Sequence, residues 1–434
     1  MGLSRGASFG GLAVLVISDH CQSSMCQLEC IDACKRVMGE QVAITIDPAG
    51  VATIDQALCI DCLVCVRACP LGAIHVVNGS STVDRPRARR KRHHAQRPYE
   101  TSDTLRPFPE SKTIFARAIF DETFEYYQSR EYSGAERVMQ KHVPGYERFC
   151  HELGAAAWAP HDTLRDRHGY IEQARECIRS SRTRPRATPE ELTTMVKRAA
   201  RFFGADLVGV AELDRRWLYD GDRSGRPHDV PEEIDRAVVM IIGMDYDAVA
   251  TSPTFTASSE VARCYSMITF LETGLAEFIK RLGFAAIPCG NDISLSVPLA
   301  IDAGLGQFGR HGLPITKEFG PQVRIAKVLT DMPLVPDEPC LKFCRSVIRF
   351  CEVCEKCAEM RPSQSIQYGK ERSWAGNTIS NNPGAKKWYI NPETCYGFWM
   401  QNGADCSNCI RSCPYNKPNN FLHRFVLWLT QNAP

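Results

Sequence analysis

The chain has 434 residues, of which 44% are apolar and 24% charged, and its formal net charge is +2. These values are typical of a soluble globular chain with about two to four domains, and they give no argument for a nucleic-acid partner. Cysteine is the exception, with 21 residues. The longest early apolar run, Leu12 to Ile17, is too short for a signal-peptide core or a membrane span. We therefore expect a cytoplasmic protein whose thiols bind metal rather than form the disulfides of a secreted domain.

Residues 1–78 are predicted to form a small iron–sulfur domain. A run with the spacing Cys-x2-Cys-x2-Cys-x3-Cys-Pro, from Cys59 to Pro70, is typical of bacterial ferredoxins with two 4Fe–4S clusters. Four more cysteines begin at Cys21, with gaps of four, three and three residues. The fourth cysteine of the motif ligates the other cluster. The expected ligand sets are Cys59, Cys62, Cys65 and Cys34 for one cluster, and Cys21, Cys26, Cys30 and Cys69 for the other. Structural zinc also uses four thiolates, but the Cys-Pro spacing favours iron and sulfide.

Residues 79–110 are polar, broken by proline and strongly basic. This composition predicts a solvated linker. The alternative is a docking patch for an acidic electron-transfer protein.

Residues 111–335 are predicted to form a domain of alternating helices and strands. A helix should begin after the N-cap Thr188 and end near Gly204, and a long amphipathic helix should end at Gly283. The apolar runs "ADLVGVAEL", "RAVVMIIGM" and "AAIPCG" indicate buried strands. Alternation of this kind favours an α/β or α+β architecture.

Residues 336–434 hold a second cysteine cluster with one departure from the motif. Cys351, Cys354 and Cys357 keep the expected gaps, but the following position is Arg361-Pro362 instead of Cys-Pro. If the last cysteine of each run again ligates the neighbouring cluster, one complete set is predicted to be Cys351, Cys354, Cys357 and Cys413. The other set is Cys395, Cys406, Cys409 and whatever replaces a thiolate at position 361.

The second of these sites leaves several possibilities, because arginine has no lone pair to give to iron. The site could hold a 3Fe–4S cluster on three thiolates, or a 4Fe–4S cluster whose fourth ligand is water or Glu359. Alternatively, Cys340 or Cys344 could supply the ligand, or the site could be empty.

From about Phe108 onward the chain resembles the corrinoid-dependent reductive dehalogenases. The stretches that carry the resemblance are "GADLVGVAELDRRWLY", "IPCGNDISLSVPLAIDAGLGQFGRHGLPITKEFGPQVRIAKVLTDMPL" and "YGFWMQNGADCSNCIRSCPYNKP". The resemblance implies an α+β chain, in which a nitroreductase-like, cobalamin-binding α/β domain is flanked by ferredoxin-like iron–sulfur domains at both ends. It also implies an enzyme that removes halogen from an organohalide, most plausibly an aryl halide, with base-off cobalamin reduced through the clusters.

The resemblance further implies particular site residues. Tyr265 matches the proton donor of the family, Asn291 and Arg324 match its polar neighbours, and Lys327 is a further candidate. The predicted cofactor contacts are Gly290, Asn291, Gly304 and Gly306. Electrons would come from an external low-potential donor, such as a ferredoxin, a flavodoxin or a reductase, to two N-terminal and two C-terminal clusters.

Two other functions stay open at this point. Epoxyqueuosine reductases share the cofactors and the tandem cluster arrangement, and they act on a tRNA base, which would require a basic groove. The third possibility is an electron carrier that has lost turnover together with the thiolate at position 361.

Overall fold

The computed structural model describes residues 14–17, 21, 23–38, 42–55, 65, 68–71, 73–77, 97–128, 134–163, 167–180 and 184–417. Two of the predicted cluster ligands, Cys59 and Cys62, lie outside these residues. The chain forms two compact units, residues 1–90 and residues 91–434. Each unit has hydrophobic clusters of its own.

The first unit contains two antiparallel strand pairs and a helix among its described residues. Its elements are β1 (Val14–Ile17), α1 (Glu29–Met38), β2 (Ile44–Ile46), β3 (Ala52–Ile54) and β4 (Ile74–Val77). β1 pairs with β4, and β2 pairs with β3. The β2–β3 hairpin turns at Asp47, whose carboxylate accepts hydrogen bonds from the backbone amides of Ala49 and Val51, both at 2.9 Å. This local pairing replaces ladder hydrogen bonds at the turn.

Cysteines make up much of the core of this unit. Cys30, Cys34 and Cys65 are buried and pack with the aliphatic side chains of β2, β3 and β4. Cys30 and Cys34 are four residues apart on α1, so they lie on the same face of the helix. A domain this small buries little apolar surface, and such domains commonly need metal or covalent links for stability.

The second unit is built on a four-stranded sheet with the strand order β5-β6-β10-β7. The strands are β5 (Leu207–Glu212), β6 (Arg236–Gly243), β7 (Ala286–Cys289) and β10 (Val323–Thr330), and two short strands, β8 (Gln307–Phe308) and β9 (Pro314–Ile315), pair separately. Residues alternate between two cores along β10. Ala326 and Val328 belong to one core, and Ile325 and Leu329 belong to the other.

Helices cover both faces of this sheet. They are α2 (Ile114–Phe120), α3 (Ala135–Met139), α4 (Arg148–Thr163), α5 (Arg167–Arg179), α6 (Pro189–Phe202), α7 (Tyr246–Ala250), α8 (Phe255–Arg281) and α9 (Ser296–Asp302). α8 packs along α4 and shares a core with β10 on one face, whereas α9 lies in the core of the other face. The predicted end of the long helix is confirmed, because α8 stops two residues before Gly283, whose φ is 81°.

The C-terminal cysteines lie on short helices and the turns between them. The helices are α10 (Leu341–Val353), α11 (Lys356–Glu359), α12 (Pro392–Asn402) and α13 (Asn408–Arg411). The side chain of Asn391 caps the first turn of α12 by accepting from the amides of Glu393 and Thr394. Gly403 ends the same helix in the left-handed conformation, with φ of 76°, which glycine adopts at little cost.

The structure differs from the sequence prediction at the end of the expected linker. Residues 97–110 pack into the second unit, where Tyr99, Leu105 and Phe108 are buried. The hydroxyl of Tyr99 donates a hydrogen bond to Asp302 at 2.8 Å. The linker prediction therefore fails for residues 97–110, since the apolar side chains scattered through them are buried by contacts distant in sequence.

The sheet is antiparallel in all of its pairings. The α+β class therefore describes this unit, and the alternation of helices and strands does not produce a parallel sheet. Among the described residues, none of the helices is both long and apolar enough to cross a bilayer.

The predicted start of α6 is confirmed in atomic detail and can be tested. The Thr188 hydroxyl accepts from the amide of Glu191 at 3.2 Å, and the Glu191 carboxylate accepts from the amide of Thr188 at 2.7 Å. We expect Thr188→Ala to lower the free energy of unfolding by about 1 kcal/mol, because amides of the first turn lose their partner. Chemical denaturation measures this loss. The control Thr194→Ala, on the exposed side of the same helix, should change stability by less than about 0.5 kcal/mol. Equal losses in the two variants would contradict the capping assignment.

Candidate functional site

Tyr265 lies on α8 with its ring held between aromatic side chains of α4. The indole of Trp158 stacks on the ring at 5.0 Å between centroids with an interplanar angle of 23°. The imidazole of His161 meets the ring edge-on at 5.8 Å. Tyr265 is half-buried, so packing fixes its ring while its hydroxyl remains accessible.

The predicted neighbour Asn291 contacts this hydroxyl directly. Its Nδ2 donates a hydrogen bond to the Tyr265 oxygen at 2.6 Å. Asn291 belongs to the turn after β7, and the buried Ile293 in that turn has φ of 67°, a strained conformation for a β-branched residue. The surroundings hold the turn in place, because the amide of Tyr219 donates to the Ile293 carbonyl at 2.8 Å. Arg223 lies 3.3 Å from a carboxylate oxygen of Asp292.

Lys327 reaches the same turn from the other face of the sheet. The residue is fully buried on β10, and its ammonium donates to the carbonyl of Gly290 at 2.5 Å and to the hydroxyl of Ser296 at 2.6 Å. The Ser296 hydroxyl in turn donates to Oδ1 of Asn291 at 3.4 Å. A continuous hydrogen-bonded chain therefore links the ammonium of Lys327 to the hydroxyl of Tyr265.

Arg324 approaches Tyr265 from the face of the sheet that carries α8. Its guanidinium carbon lies 5.6 Å from the centroid of the Tyr265 ring, within the range of cation–π attraction. Arg324 also offsets the charge of the buried Asp405: burial raises the pKa of that carboxyl to about 6, against the opposing effect of Arg324. The structure thus brings together the four predicted residues Tyr265, Asn291, Arg324 and Lys327.

Local hydrogen bonding, backbone conformation and packing involve the predicted cofactor glycines. Gly290 supplies the carbonyl that binds Lys327. Gly304 has φ of 76°, and a Cβ on Gly306 would lie 2.5 Å from the carbonyl oxygen of Ile315. These constraints explain why glycine occupies the positions, and a cofactor contact there remains a prediction.

The first C-terminal thiol set, Cys351, Cys354, Cys357 and Cys413, is brought together in the second unit. Burial raises the pKa of Cys357 to about 12, and the thiols of Cys409, Cys351 and Cys354 add to the effect. Burial also raises the pKa of Cys413 well above its ordinary value, with contributions from Cys351, Cys357 and Cys354. Clustered buried thiols ionise at neutral pH only beside a strong positive charge, which a metal centre supplies.

Arg310 holds the backbone around this set. Its guanidinium is buried and donates to the carbonyls of Cys351 and Cys354, and also to those of Gln367 and Gly369. The guanidinium also lies 5.0 Å from the ring centroid of Trp388. One side chain therefore connects the end of α10, which carries Cys351 and Cys354, to the loop after α11.

The second C-terminal set gathers around Arg361 in the position where a fourth thiolate is missing. Arg361 is 5% exposed, and its Nη2 contacts the Sγ of Cys395. Burial opposes its charge, but Cys409, Cys395 and Cys406 outweigh that effect and raise its pKa. The last position of the first cysteine run, Arg361, thus lies with the three predicted thiols of the other segment.

The other candidates for a fourth ligand lie elsewhere. Cys340 is exposed, and the buried Cys344 donates a hydrogen bond to the carbonyl of Gly306 at 3.6 Å. Glu359 is exposed and pairs with Lys356 at 3.0 Å. None of these three side chains has a contact with Arg361 among the described residues.

In the first unit, the described part of the second predicted N-terminal set is also brought together. Burial raises the pKa of Cys30 to about 11, with further contributions from Cys69, Cys26 and Cys21. Backbone amides donate to two of these sulfurs, from Ala52 to Cys21 at 3.3 Å and from Ala73 to Cys69 at 3.4 Å. The other predicted set lacks Cys59 and Cys62 in the described residues, so its geometry stays a prediction.

Within the part of the chain that the structure describes, no three Cys, His, Asp or Glu side chains converge on a point that could hold a single metal ion. Thiols that bind a cubane do not need such convergence, because each of them ligates a different iron.

Comparison with known proteins supports the iron–sulfur interpretation of the cysteines and relates the chain to known enzymes. Residues 52–75 match the model of the 4Fe-4S binding domain family. The chain is 36% identical over 284 residues to the tetrachloroethene reductive dehalogenase of Dehalobacter restrictus (strain DSM 9455 / PER-K23), covering 56% of this chain and 51% of that protein. It is 39% identical over 276 residues to the corresponding enzyme of Sulfurospirillum multivorans, covering 56% and 54%. The chain is a homologue of the reductive dehalogenases. It spans about half the length of the curated relatives that it matches.

Solved structures of reductive dehalogenases share the fold. A catabolic reductive dehalogenase superposes with a TM-score of 0.58 at 21% identity, over 77% of this chain and 45% of that chain. A second structure, described as suggesting a mechanism for B12-dependent dehalogenation, gives a TM-score of 0.52 at 23% identity, over 61% and 39%. A shorter similarity, 33% over 119 residues, relates 26% of this chain to 35% of the epoxyqueuosine reductase of Atelocyanobacterium thalassa (isolate ALOHA).

Sequence reasoning missed several residues of this reductive dehalogenase homologue that the structure places at the sites. Trp158 and His161 lie on a helix about a hundred residues before Tyr265, and no local pattern marks them. Ser296 lies five residues after Asn291, at the start of α9, where a hydroxyl facing the turn was a usable signal. Arg310 stands in a glycine-rich stretch that indicated only a loop.

Arg310 generates a stability prediction. We expect Arg310→Met to lower the free energy of unfolding by about 3 kcal/mol or more, because buried carbonyls lose a charged donor. The variant should also retain less iron after anaerobic reconstitution. Denaturation and iron analysis measure the two effects. The control Arg345→Met, on the exposed side of α10, should resemble the unmodified protein. An Arg310→Met protein with unchanged stability would show that these hydrogen bonds do not hold the turns.

Proposed function

We propose that this chain carries the catalytic centre of a corrinoid-dependent reductive dehalogenase. The reaction replaces the halogen of an organohalide with hydrogen, so it consumes an electron pair and a proton while a halide ion leaves. One observation carries the proposal: the hydrogen-bonded chain from the buried ammonium of Lys327 through Ser296 and Asn291 to Tyr265. Homology to named reductive dehalogenases supports it.

Base-off cobalamin is the proposed cofactor beside Tyr265. A corrin supplies its own ring nitrogens, and the protein then provides position and electrostatics. Gly290, Asn291, Gly304 and Gly306 are the proposed contacts for base-off cobalamin. When bound, cobalamin would supply a cobalt centre of low reduction potential that reacts with the carbon–halogen bond.

Tyr265 is the proposed proton donor. Its oxygen accepts a hydrogen bond from Asn291, and among the described residues the hydroxyl has no acceptor of its own. The proton is therefore available to the carbon that loses halogen. A phenol ordinarily holds its proton up to a pKa of about 10, so the phenolate that remains must be stabilised.

Two cations can stabilise that phenolate. The guanidinium of Arg324 lies over the Tyr265 ring, and the charge of Lys327 acts through the polarised hydroxyl of Ser296 and the amide of Asn291. Positive charge and hydrogen bonds to the anion both lower the cost of releasing the proton. Trp158 keeps the ring in one orientation, so the hydroxyl is already directed when substrate arrives.

Iron–sulfur clusters are the proposed electron input. Cubane clusters span reduction potentials of roughly −700 to +450 mV, which includes the low range that dehalogenation needs. A ferredoxin, flavodoxin or reductase would deliver electrons to the N-terminal clusters. An aryl halide is the proposed substrate class, and the cytoplasmic location remains a prediction from the sequence.

The epoxyqueuosine reductase alternative is supported by the shorter similarity to one such enzyme. The two functions make different predictions for binding. A tRNA-modifying enzyme should bind tRNA with an affinity that falls steeply as salt increases, whereas a dehalogenase should show no specific binding. The third possibility, an electron carrier without turnover, predicts bound cobalamin but no release of halide with a strong reductant.

Tyr265→Phe tests the proton-donor role in the holoenzyme. We expect kcat for halide release to fall by about 10²- to 10⁴-fold, because the positioned acid is lost. The cobalamin and iron contents should stay unchanged. The control Tyr170→Phe alters another half-buried tyrosine, which lies on α5 beside Lys280, and should keep full activity. Unchanged turnover in Tyr265→Phe would remove the assignment.

Ser296→Ala tests the hydrogen-bonded chain behind the donor. We expect kcat to fall by about tenfold with little change in KM, because the phenolate loses roughly one hydrogen bond's worth of stabilisation. Ser296→Thr keeps the hydroxyl and should recover most of the rate. If both substitutions give the same loss, the hydroxyl is not part of the proton-transfer machinery.

A further inference from the structure

The two halves of the chain use the same cysteine spacing with one difference. In the first unit, the third and fourth cysteines of the run are Cys65 and Cys69, and Pro70 follows. In the second unit, the corresponding positions are Cys357, Arg361 and Pro362. The turn is therefore kept, while the thiolate that should cross to the neighbouring cluster is replaced by a guanidinium.

Arg361 occupies the interior of the neighbouring site rather than turning to solvent. It is 5% exposed, its Nη2 contacts the Sγ of Cys395, and its Nε lies 3.2 Å from the hydroxyl of Ser363. Among the described residues, no carboxylate forms an ion pair with it. A buried guanidinium without a countercharge costs several kcal/mol. Among the described residues, the thiols of Cys395, Cys406 and Cys409, with whatever they bind, are the groups that stabilise its charge, and the buried carboxyl of Asp405 lies near Cys395.

Three of the surrounding side chains do not supply a substitute ligand at this corner, because Cys340, Cys344 and Glu359 have other partners or lie at the surface. His311 is buried near Arg361, and its Nδ1 accepts from the amide of Leu313 at 3.2 Å. Its Nε2 is buried without a hydrogen-bond partner among the described residues, so His311 is the competing donor that the iron analysis below must exclude. The side chain that contacts the sulfur of Cys395 among the described residues is the guanidinium of Arg361.

We propose that Cys395, Cys406 and Cys409 bind a three-iron, four-sulfide cluster whose open corner faces the guanidinium of Arg361. Three thiolates are enough for three irons, one each. A fourth iron at the open corner would need a donor that arginine does not have, and its positive charge would face another cation. The anionic sulfurs, in contrast, accept hydrogen bonds from the guanidinium.

The arrangement also determines how readily this cluster takes up an electron. Reduction adds one negative charge to the cluster, and an adjacent cation with hydrogen bonds to sulfur stabilises the reduced form. The reduction potential of this cluster should therefore lie above that of the cubane expected on Cys351, Cys354, Cys357 and Cys413. Such a cluster would hold an electron rather than pass it on immediately.

Electron paramagnetic resonance of the full-length protein tests the inference. The protein is reconstituted anaerobically with excess ferrous iron, sulfide and a reductant, and is then oxidised with one equivalent of a mild oxidant. We expect a three-iron signal of about one spin per chain, which persists when more ferrous iron is added. Arg361→Cys should lose the signal and gain about one iron per chain. The control Arg349→Cys adds a thiol at an exposed position of α10 and should keep the signal.

Three results would overturn the inference. A protein without the signal that contains as much iron as Arg361→Cys would show that another residue ligates a fourth iron. A protein with about four irons fewer than Arg361→Cys would show an empty site. If the reduction potential of the three-iron cluster is no lower in Arg361→Gln than in the unmodified protein, the guanidinium does not stabilise the reduced cluster. The inference rests on the iron–sulfur part of the proposed function and not on dehalogenation, so a protein that releases no halide leaves these measurements interpretable.

Discussion

The arrangement of residues around Tyr265 depends on a single buried ammonium. Lys327 is fully buried in the central sheet, where an ion without partners would cost several kcal/mol. Its two oxygen acceptors come from the turn after the edge strand β7 and from the first residue of α9. The hydrogen bonds that stabilise this one charge therefore fix the turn after β7 and the start of α9 relative to each other. Asn291 lies between these two acceptors, and its amide reaches Tyr265 as a consequence.

Buried cations organise the cysteine segments in the same way. Arg310 donates to the carbonyls of Cys351 and Cys354 at the end of α10, and Arg361 lies among the thiols of the second set. Arg310 thus binds backbone carbonyls, whereas Arg361 contacts a thiol and stands where the motif has a fourth cysteine. In the proposed arrangement, the same residue type supports one site and limits the other.

Much of this organisation could be predicted from the sequence, because it depends on spacing. Cysteine gaps and the crossover predicted that Cys413 would join Cys351 and that position 361 would join Cys395, and the structure places them so. Tyr265 and Asn291 followed from a family resemblance rather than from local patterns. Trp158 and Arg310 could not be predicted, since they act through contacts with residues distant in the chain. The burial of Leu105 and Phe108 escaped prediction for the same reason: no periodic pattern marks the segment.

The crossover has a consequence for how this part of the protein can be modified. In the proposed ligand sets, residues 351–361 and residues 395–413 each complete a set whose other members lie in the other segment. Neither segment is a portable module. A chimera that takes only one of these segments from a relative would combine ligands from two different proteins in each site. Both sites would therefore be affected at once. A donor segment with cysteine at the position of Arg361 would change the site centred on Cys395, 34 residues away in the chain, while leaving its own three-cysteine run as it was.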